Sequence, residues 1–323
     1  MKAIVRSRYG SPDVLQLIEV AKPAPKGDEV LVRVHAASVN AGDLDYLYGR
    51  PLFGRMFTGL RHPRNDRLGL DVAGQVEATG EEVKSVHSGD EVFGDMTSYG
   101  FGAFAEYVCA PEKAFAPKPV GMTFEEAATV PQAAILALQG LRGKRQIQPG
   151  ARVLINGAGG SVGTFAVQIA KYFGAEVTGV DSTSKLDLVR SIGADHVIDY
   201  TREDFTKSGQ RYDRILDIWG RSSIFDYRRA LSPTGTYAMV GGSTGRIFQV
   251  LILGPLISMT ERKTMGLMWW RGFRKEDVEF LTELIGGGKV SPVIDRRFHL
   301  SEVPDALRYL EAGHAQGKLV ITV

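Results

Sequence analysis

The chain has 323 residues, with 39 Lys and Arg against 37 Asp and Glu and a net charge of +2. Nothing in that near balance demands an anionic membrane surface or nucleic acid as partner, and no nucleic acid is expected. One cysteine, Cys109, rules out a disulfide within the chain and a cysteine-rich zinc site, and the length suggests two domains.

In chain order, residues 1 to about 120 read as mostly β. Ala3–Val5, Leu15–Val20, Glu29–Ala37 and Asp71–Thr79 carry alternating or β-branched runs, punctuated by Gly10-Ser11-Pro12 and Pro23-Ala24-Pro25. His35 has no second metal ligand near it at a usual spacing and is expected to be a partly exposed strand residue. Ser38 to Arg67 reads as one long loop, beginning with Asn40, Asp43, Asp45, Tyr46 and Tyr48. Arg50, Arg55, Arg61, His62, Arg64 and Arg67 follow, with Phe53, Met56 and Phe57 between them. Basic residues among aromatics suit single-stranded nucleic acid, but the balanced charge favours the wall of a substrate pocket. Thr123 and Glu126 form a capping box that starts a helix, Pro131 interrupts it, and Ala133–Arg142 resumes helically.

Arg152 to Asn156 is a short β-branched apolar run behind Pro149-Gly150, the pattern of a buried parallel strand. Gly157-Ala158-Gly159-Gly160-Ser161-Val162-Gly163 follows, and then Val162, Phe165, Ala166, Ile169 and Phe173 recur at helical spacing. Glycines at a strand-to-helix turn let backbone approach a ligand, and the helix N-terminus offers free N–H groups to a pyrophosphate. This is a variant of the dinucleotide fingerprint, with Val162 in place of its last glycine. A second strand, Glu176–Val180, ends at Asp181, where a ribose-reading carboxylate is expected. Further short strands (His196–Ile198, Arg214–Ile218, Thr236–Val240) alternate with helices, as in a doubly wound parallel sheet.

Ile247 to Met259 is the most apolar run, broken by Gly254-Pro255 and too short to span a bilayer. A buried helix or a subunit contact is expected there. Glu276–Ile285 reads as an amphipathic helix, Val293–Leu300 as a strand, Glu302–Glu311 as a helix and Lys318–Val323 as a last strand. The N-terminus opens into a strand pattern with no signal or transit segment visible, which predicts a cytoplasmic protein.

With these residues in view, the whole chain resembles the medium-chain dehydrogenase/reductase superfamily, and within it the zinc-independent quinone oxidoreductase-like branch. The landmarks are Met1-Lys2-Ala3-Ile4-Val5, Val34 to Asn40, Gly89-Asp90-Glu91-Val92-Phe93-Gly94, Gly102 to Tyr107, the Gly157–Gly163 loop, Gly193 to Tyr200, and Gly317-Lys318-Leu319-Val320. The resemblance implies a GroES-like β-rich catalytic domain (1–122 and 271–323), with a Rossmann dinucleotide-binding domain (123–270) inserted in it and the active site in the cleft. Zinc-containing members carry a cysteine where this chain has Asn40, a His-Glu pair where it has Leu70-Asp71, and a third ligand near Pro131-Gln132. The resemblance therefore implies no zinc.

It also implies a cofactor site of Gly157, Gly159, Gly160, Ser161, Val162, Gly163, Asp181, Ser182, Lys185, Tyr200, Trp219 and Gly241, with Pro131 and Gln132 beside the nicotinamide. Asp181 favours NAD, whereas Ser182, Lys185 and Tyr200 match positions that hold the extra phosphate of NADP; NADP is favoured over NAD. Without a metal the substrate must already be electrophilic, a quinone or an α,β-unsaturated carbonyl. The oxygen that gains charge needs a donor, and Asn40 and Tyr46 (or Tyr48) are the candidates. Zinc-free alcohol oxidation and non-catalytic NADPH binding are the competing readings. Lys263–Trp270 corresponds to the edge strand of a possible homodimer.

Overall fold

The computed structural model describes residues 1–143 and 145–323, and the side chains of all of these but residue 53. In chain order the elements are β1 (Lys2–Val5), β2 (Gln16–Glu19), β3 (Glu29–Val39), α1 (Ala41–Tyr48), α2 (Arg55–Thr58), β4 (Asp71–Thr79), β5 (Glu91–Asp95), β6 (Tyr107–Pro111), β7 (Phe115–Pro117) and α3 (Phe124–Ala128). Then come α4 (Ala133–Leu141), β8 (Arg152–Asn156), α5 (Ser161–Tyr172), β9 (Glu176–Asp181), α6 (Leu186–Ser191), β10 (His196–Asp199), β11 (Tyr212–Asp217), α7 (Ile224–Ala230), β12 (Leu231–Met239), α8 (Thr244–Thr260) and β13 (Thr264–Leu267). The chain closes with α9 (Lys275–Gly286), β14 (Ile294–His299), α10 (Val303–Glu311) and β15 (Lys318–Thr322). It divides into two compact units: Met1–Ala133 with Phe273–Gly286 and Ile294–Val323, and Ala134–Gly272 with Gly287–Val293.

The first unit is the GroES-like one. Its larger sheet runs β14-β15-β3-β4-β5-β7, with β6 also pairing with β3. Val30, Val32 and Val34 point into the core with Val72, Val92, Phe104 and Leu319, the alternation expected of a strand with one buried face. The C-terminal strand β15 lies against β3, Leu319 opposite Val39 and Thr322 opposite Ala36.

The second unit is a Rossmann sheet of parallel strands in the order β10-β9-β8-β11-β12-β13. The order reverses at β8, and ligand sites form outside the carboxyl ends of strands at such a switch point. Leu154, Val180, Ile215 and Tyr237 belong to its core.

Two sequence expectations are corrected. Ser38 to Arg67 is not one loop: α1 and α2 lie within it. Asn40 caps α1 in a box with Asp43, and Gly49 closes it in the left-handed conformation at φ 63°. The Ile247–Met259 run is neither broken nor buried as a whole. It forms one helix through Pro255, and Phe248, Leu251, Ile252, Leu256 and Met259 are exposed along it. Gly254 is where α8 approaches β13, since a Cβ there would lie 2.7 Å from the Met265 carbonyl oxygen. Among the described residues no helix is long and apolar enough to cross a membrane.

Candidate active site

In the Rossmann unit the glycine loop is tied to its neighbouring strand before any ligand is considered. Gly157 turns at φ 88°. The N–H groups of Gly157 and Ala158 both donate to the Val180 carbonyl, at 2.9 and 3.1 Å. Gly163 has to be glycine, because a Cβ would meet the Gly157 carbonyl oxygen at 2.0 Å; this is where α5 packs under the loop. Gly159 is packed on Lys185, whose Cβ would lie 2.8 Å from an added one. Gly160 is different. An added Cβ there meets nothing closer than 3.5 Å, so protein packing does not demand the glycine, and its bare Cα leaves room over the start of α5.

Gly160 is the N-cap of α5 and supplies no side-chain cap. The N–H groups of Val162 and Gly163, in the first turn of this 12-residue helix, have no acceptor within the helix. Room plus oriented N–H groups fit a pyrophosphate.

Asp181, at the end of β9, is buried and turned back into the loop. Its Oδ2 accepts the Gly159 N–H and its Oδ1 the Ser182 N–H, both at 2.8 Å. The Lys185 ammonium lies 4.0 Å from Oδ1, so the charge of Asp181 is offset within the fold. Tyr200, just past β10, is exposed, and its N–H donates to the Asp181 carbonyl at 3.2 Å. Trp219, past the end of β11, is 54% exposed and not core. Gly241 receives the Gly220 N–H at 3.0 Å, which joins the ends of β11 and β12.

In the GroES-like unit Asn40 sits in a buried polar centre. Its Oδ1 accepts from Lys318 Nζ at 2.7 Å, and its Nδ2 donates to Asp71 Oδ2 at 2.9 Å. Asp71 also accepts from Ser38 Oγ at 2.8 Å, from the Gln132 N–H at 3.1 Å and from Lys318 at 3.2 Å. Gln132 Nε2 donates to Asp95 at 3.1 Å and to Thr97 at 2.7 Å. Asp43 accepts the N–H groups of Asn40 and Gly69, at 2.9 and 3.0 Å. Burial pushes the Asp43 carboxyl up to about 7 and that of Asp71 to about 6, although the Lys318 cation works against both shifts. Burial likewise lowers the affinity of Lys318 for its proton, with Asp71 opposing.

Tyr46, on α1, is half-buried against Phe101, ring centres 4.4 Å apart. Its hydroxyl has no hydrogen-bond partner among the described residues. Burial first, then Asp95, Asp43 and Asp45, raise the phenol above its ordinary range, so it stays a donor at neutral pH. Tyr48 turns elsewhere, donating to Glu311 at 3.0 Å. His35 is a half-buried strand residue stacked on Phe124 at 4.4 Å. In the sequence Lys318 stands out only as part of the Gly317-Lys318-Leu319-Val320 landmark. A lysine opening an apolar strand, Leu319-Val320-Ile321, is the signal that a carboxylate must be waiting inside.

Residues 26–120 match the alcohol dehydrogenase GroES-like domain family, and residues 192–321 the zinc-binding dehydrogenase family. The chain is 35% identical to the 2-methylene-furan-3-one reductase of Solanum lycopersicum, over 99% of this chain and 79% of that protein. It is 35% identical to the chloroplastic NADPH-dependent alkenal/one oxidoreductase of Arabidopsis thaliana, with the same two coverages of 99% and 79%. The solved structure of the quinone oxidoreductase from Coxiella burnetii superposes with a TM-score of 0.88 at 31% identity, covering 100% of this chain and 99% of that one. The chain belongs to the medium-chain dehydrogenase/reductase superfamily, in its quinone oxidoreductase-like branch.

Proposed function

We propose that this protein is an NAD(P)H-dependent oxidoreductase that passes a hydride to quinones or α,β-unsaturated carbonyls. The observation that carries the reading is the uncapped start of α5 beneath the open Cα of Gly160, a pyrophosphate cradle, in a chain whose relatives are alkenal/one, furanone and quinone reductases. The nicotinamide supplies the hydride when bound. The chain holds the pyrophosphate with Gly157, Gly159, Gly160, Ser161, Val162 and Gly163, while Trp219 and Gly241 line the same edge of the sheet.

Tyr46 and Asn40 are the residues assigned to the substrate carbonyl. Tyr46 has spare donor capacity, whereas the Asn40 amide already donates to Asp71 and serves first to hold the site's polar floor. NADPH is favoured over NADH, because Lys185 offsets Asp181 and both of that carboxylate's oxygens are engaged by backbone.

The match to a zinc-binding dehydrogenase family raises the question of zinc. The positions that carry ligands in zinc-containing members hold a carboxamide (Asn40), one carboxylate (Asp71) and Gln132. An ammonium, Lys318, lies 3.2 Å from that carboxylate. Such a set has neither thiolate nor imidazole and already contains its own cation, so it does not fit zinc.

The domain assignment (1–122 with 271–323, and 123–270), a cytoplasmic site of action and a homodimer through 263–270 belong to the same reading. The dimer is supported by β13, an edge strand whose only partner among the described residues is β12, and by the apolar residues that α8 leaves exposed. Sedimentation that finds a monomer at every concentration rejects it.

The test is turnover. The purified protein is mixed with NADPH or NADH and with 1,4-benzoquinone, 9,10-phenanthrenequinone or an alkenal, with and without EDTA. Chelator-resistant oxidation of NADPH is expected. Tight NADPH binding without oxidation by any acceptor overturns the enzyme reading.

A further inference from the structure

Arg221 follows β11 and Tyr200 follows β10, two strands separated in the sheet by β9 and β8. Yet the Arg221 guanidinium lies over the Tyr200 ring, 5.2 Å from its centre. The pair therefore bridges the carboxyl ends of β9 and β8, directly beside Asp181 and Ser182. Both residues are exposed, and among the described residues no carboxylate pairs with Arg221. Its main chain is anchored: the Arg221 carbonyl accepts from Arg246 Nε at 3.1 Å, and Arg246 is held in turn by Gln249 at 3.1 Å. A fixed backbone, an unpaired planar cation and a neighbouring phenol hydroxyl make a site for a dianionic phosphomonoester. The lysine expected to do this work, Lys185, is turned inward to Asp181 and is nearly buried.

We propose that Arg221, supported by Tyr200, is the residue that reads the 2′-phosphate of NADPH and sets the cofactor preference. This rests on the proposed NADPH preference but not on the hydride chemistry. Both Asp181 oxygens already accept from backbone N–H groups, and Arg221 supplies the charge that selects the phosphate.

The test uses the full chain and nucleotide fragments that lack the nicotinamide. Calorimetric titration with 2′,5′-ADP and with 5′-AMP compares the wild type with Arg221→Ala and Arg221→Lys. The wild type is expected to bind 2′,5′-ADP at least about tenfold more tightly than 5′-AMP, as a charge-assisted bidentate contact implies. Arg221→Ala is expected to abolish most of that ratio and leave 5′-AMP binding unchanged; Arg221→Lys keeps part of it. Equal loss for both fragments would mean that Arg221 only stacks on adenine, and overturns the proposal. No loss for either fragment, or a wild type that binds the two alike, overturns it as well. Failure of quinone or alkenal turnover would leave the fragment result standing, so the two readings fail separately.

Discussion

Lys318 donates to the carboxamide oxygen of Asn40 at 2.7 Å, joining the last strand of the chain to the start of α1, and the lysine itself is fully buried. The same ammonium is the only cation paired with Asp71 among the described residues. Replacing it by methionine keeps the length and removes the charge. It leaves Asp71 buried without its counter-ion, and breaking a buried pair from one side costs about 3–5 kcal/mol. Urea unfolding of Lys318→Met is expected to show a loss of that order. A change under 1 kcal/mol would mean that Asp71 is held neutral by its other donors.

The raised carboxyl of Asp43 has a defined sign in stability. In the unfolded chain it titrates near 3.8, in the fold near 7. Between those values the folded protein binds more protons than the unfolded one, so this group's contribution is full below about 4 and is lost as pH rises through 7. Asp71, raised to about 6, acts in the same direction. Asp43→Asn removes the titration. The stability of wild type relative to Asp43→Asn should therefore fall from pH 5 to pH 8 in denaturant titrations, and a constant difference would refute the assignment.

Tyr46→Phe deletes a hydroxyl that makes no other hydrogen bond among the described residues, so the fold should lose little. If this hydroxyl meets the substrate oxygen, kcat falls by about 10² while NADPH binding is unchanged. Unchanged kcat assigns the donor elsewhere.

Asp181 separates two accounts of the cofactor site. A carboxylate that reads ribose hydroxyls and repels phosphate predicts that Asp181→Ala shifts preference toward NADPH. The structure shows it holding Gly159 and Ser182, which predicts weaker binding of NADPH and NADH together, through a slackened loop. Parallel fluorescence titrations decide between them.

Much of this was legible in the residues. The strand-loop-helix from Arg152 to Phe173 carries its turn glycines, its apolar face and its strand in one continuous stretch, so local pattern and fold agree. Asn40 to Gly49 was also local, a capping box and a left-handed terminator. It read as loop because a single short turn of apolar residues, Leu44 and Leu47, gives little periodicity. What lay beyond reach was contact across sequence. Lys318 meets Asp71 from 247 residues away, and nothing near either residue names the other. Arg221 carries no signal of its own in the sequence, because its meaning comes from Tyr200 across two intervening strands.

The place of β15 in its sheet also bears on how the protein is made. Every strand of the parallel sheet lies between residues 152 and 267, so that layer has all its partners once the ribosome has passed β13. The other sheet waits: β3, β4 and β6 emerge early, but the neighbour of the second half of β3, Ala36 to Val39, and the ammonium that answers Asp71 arrive only with residues 318–322. Through most of its synthesis the nascent GroES-like unit therefore carries an open strand edge and an uncompensated internal acid. Deleting the final six residues should leave the early strands exposed to aggregation while the middle of the chain is already paired.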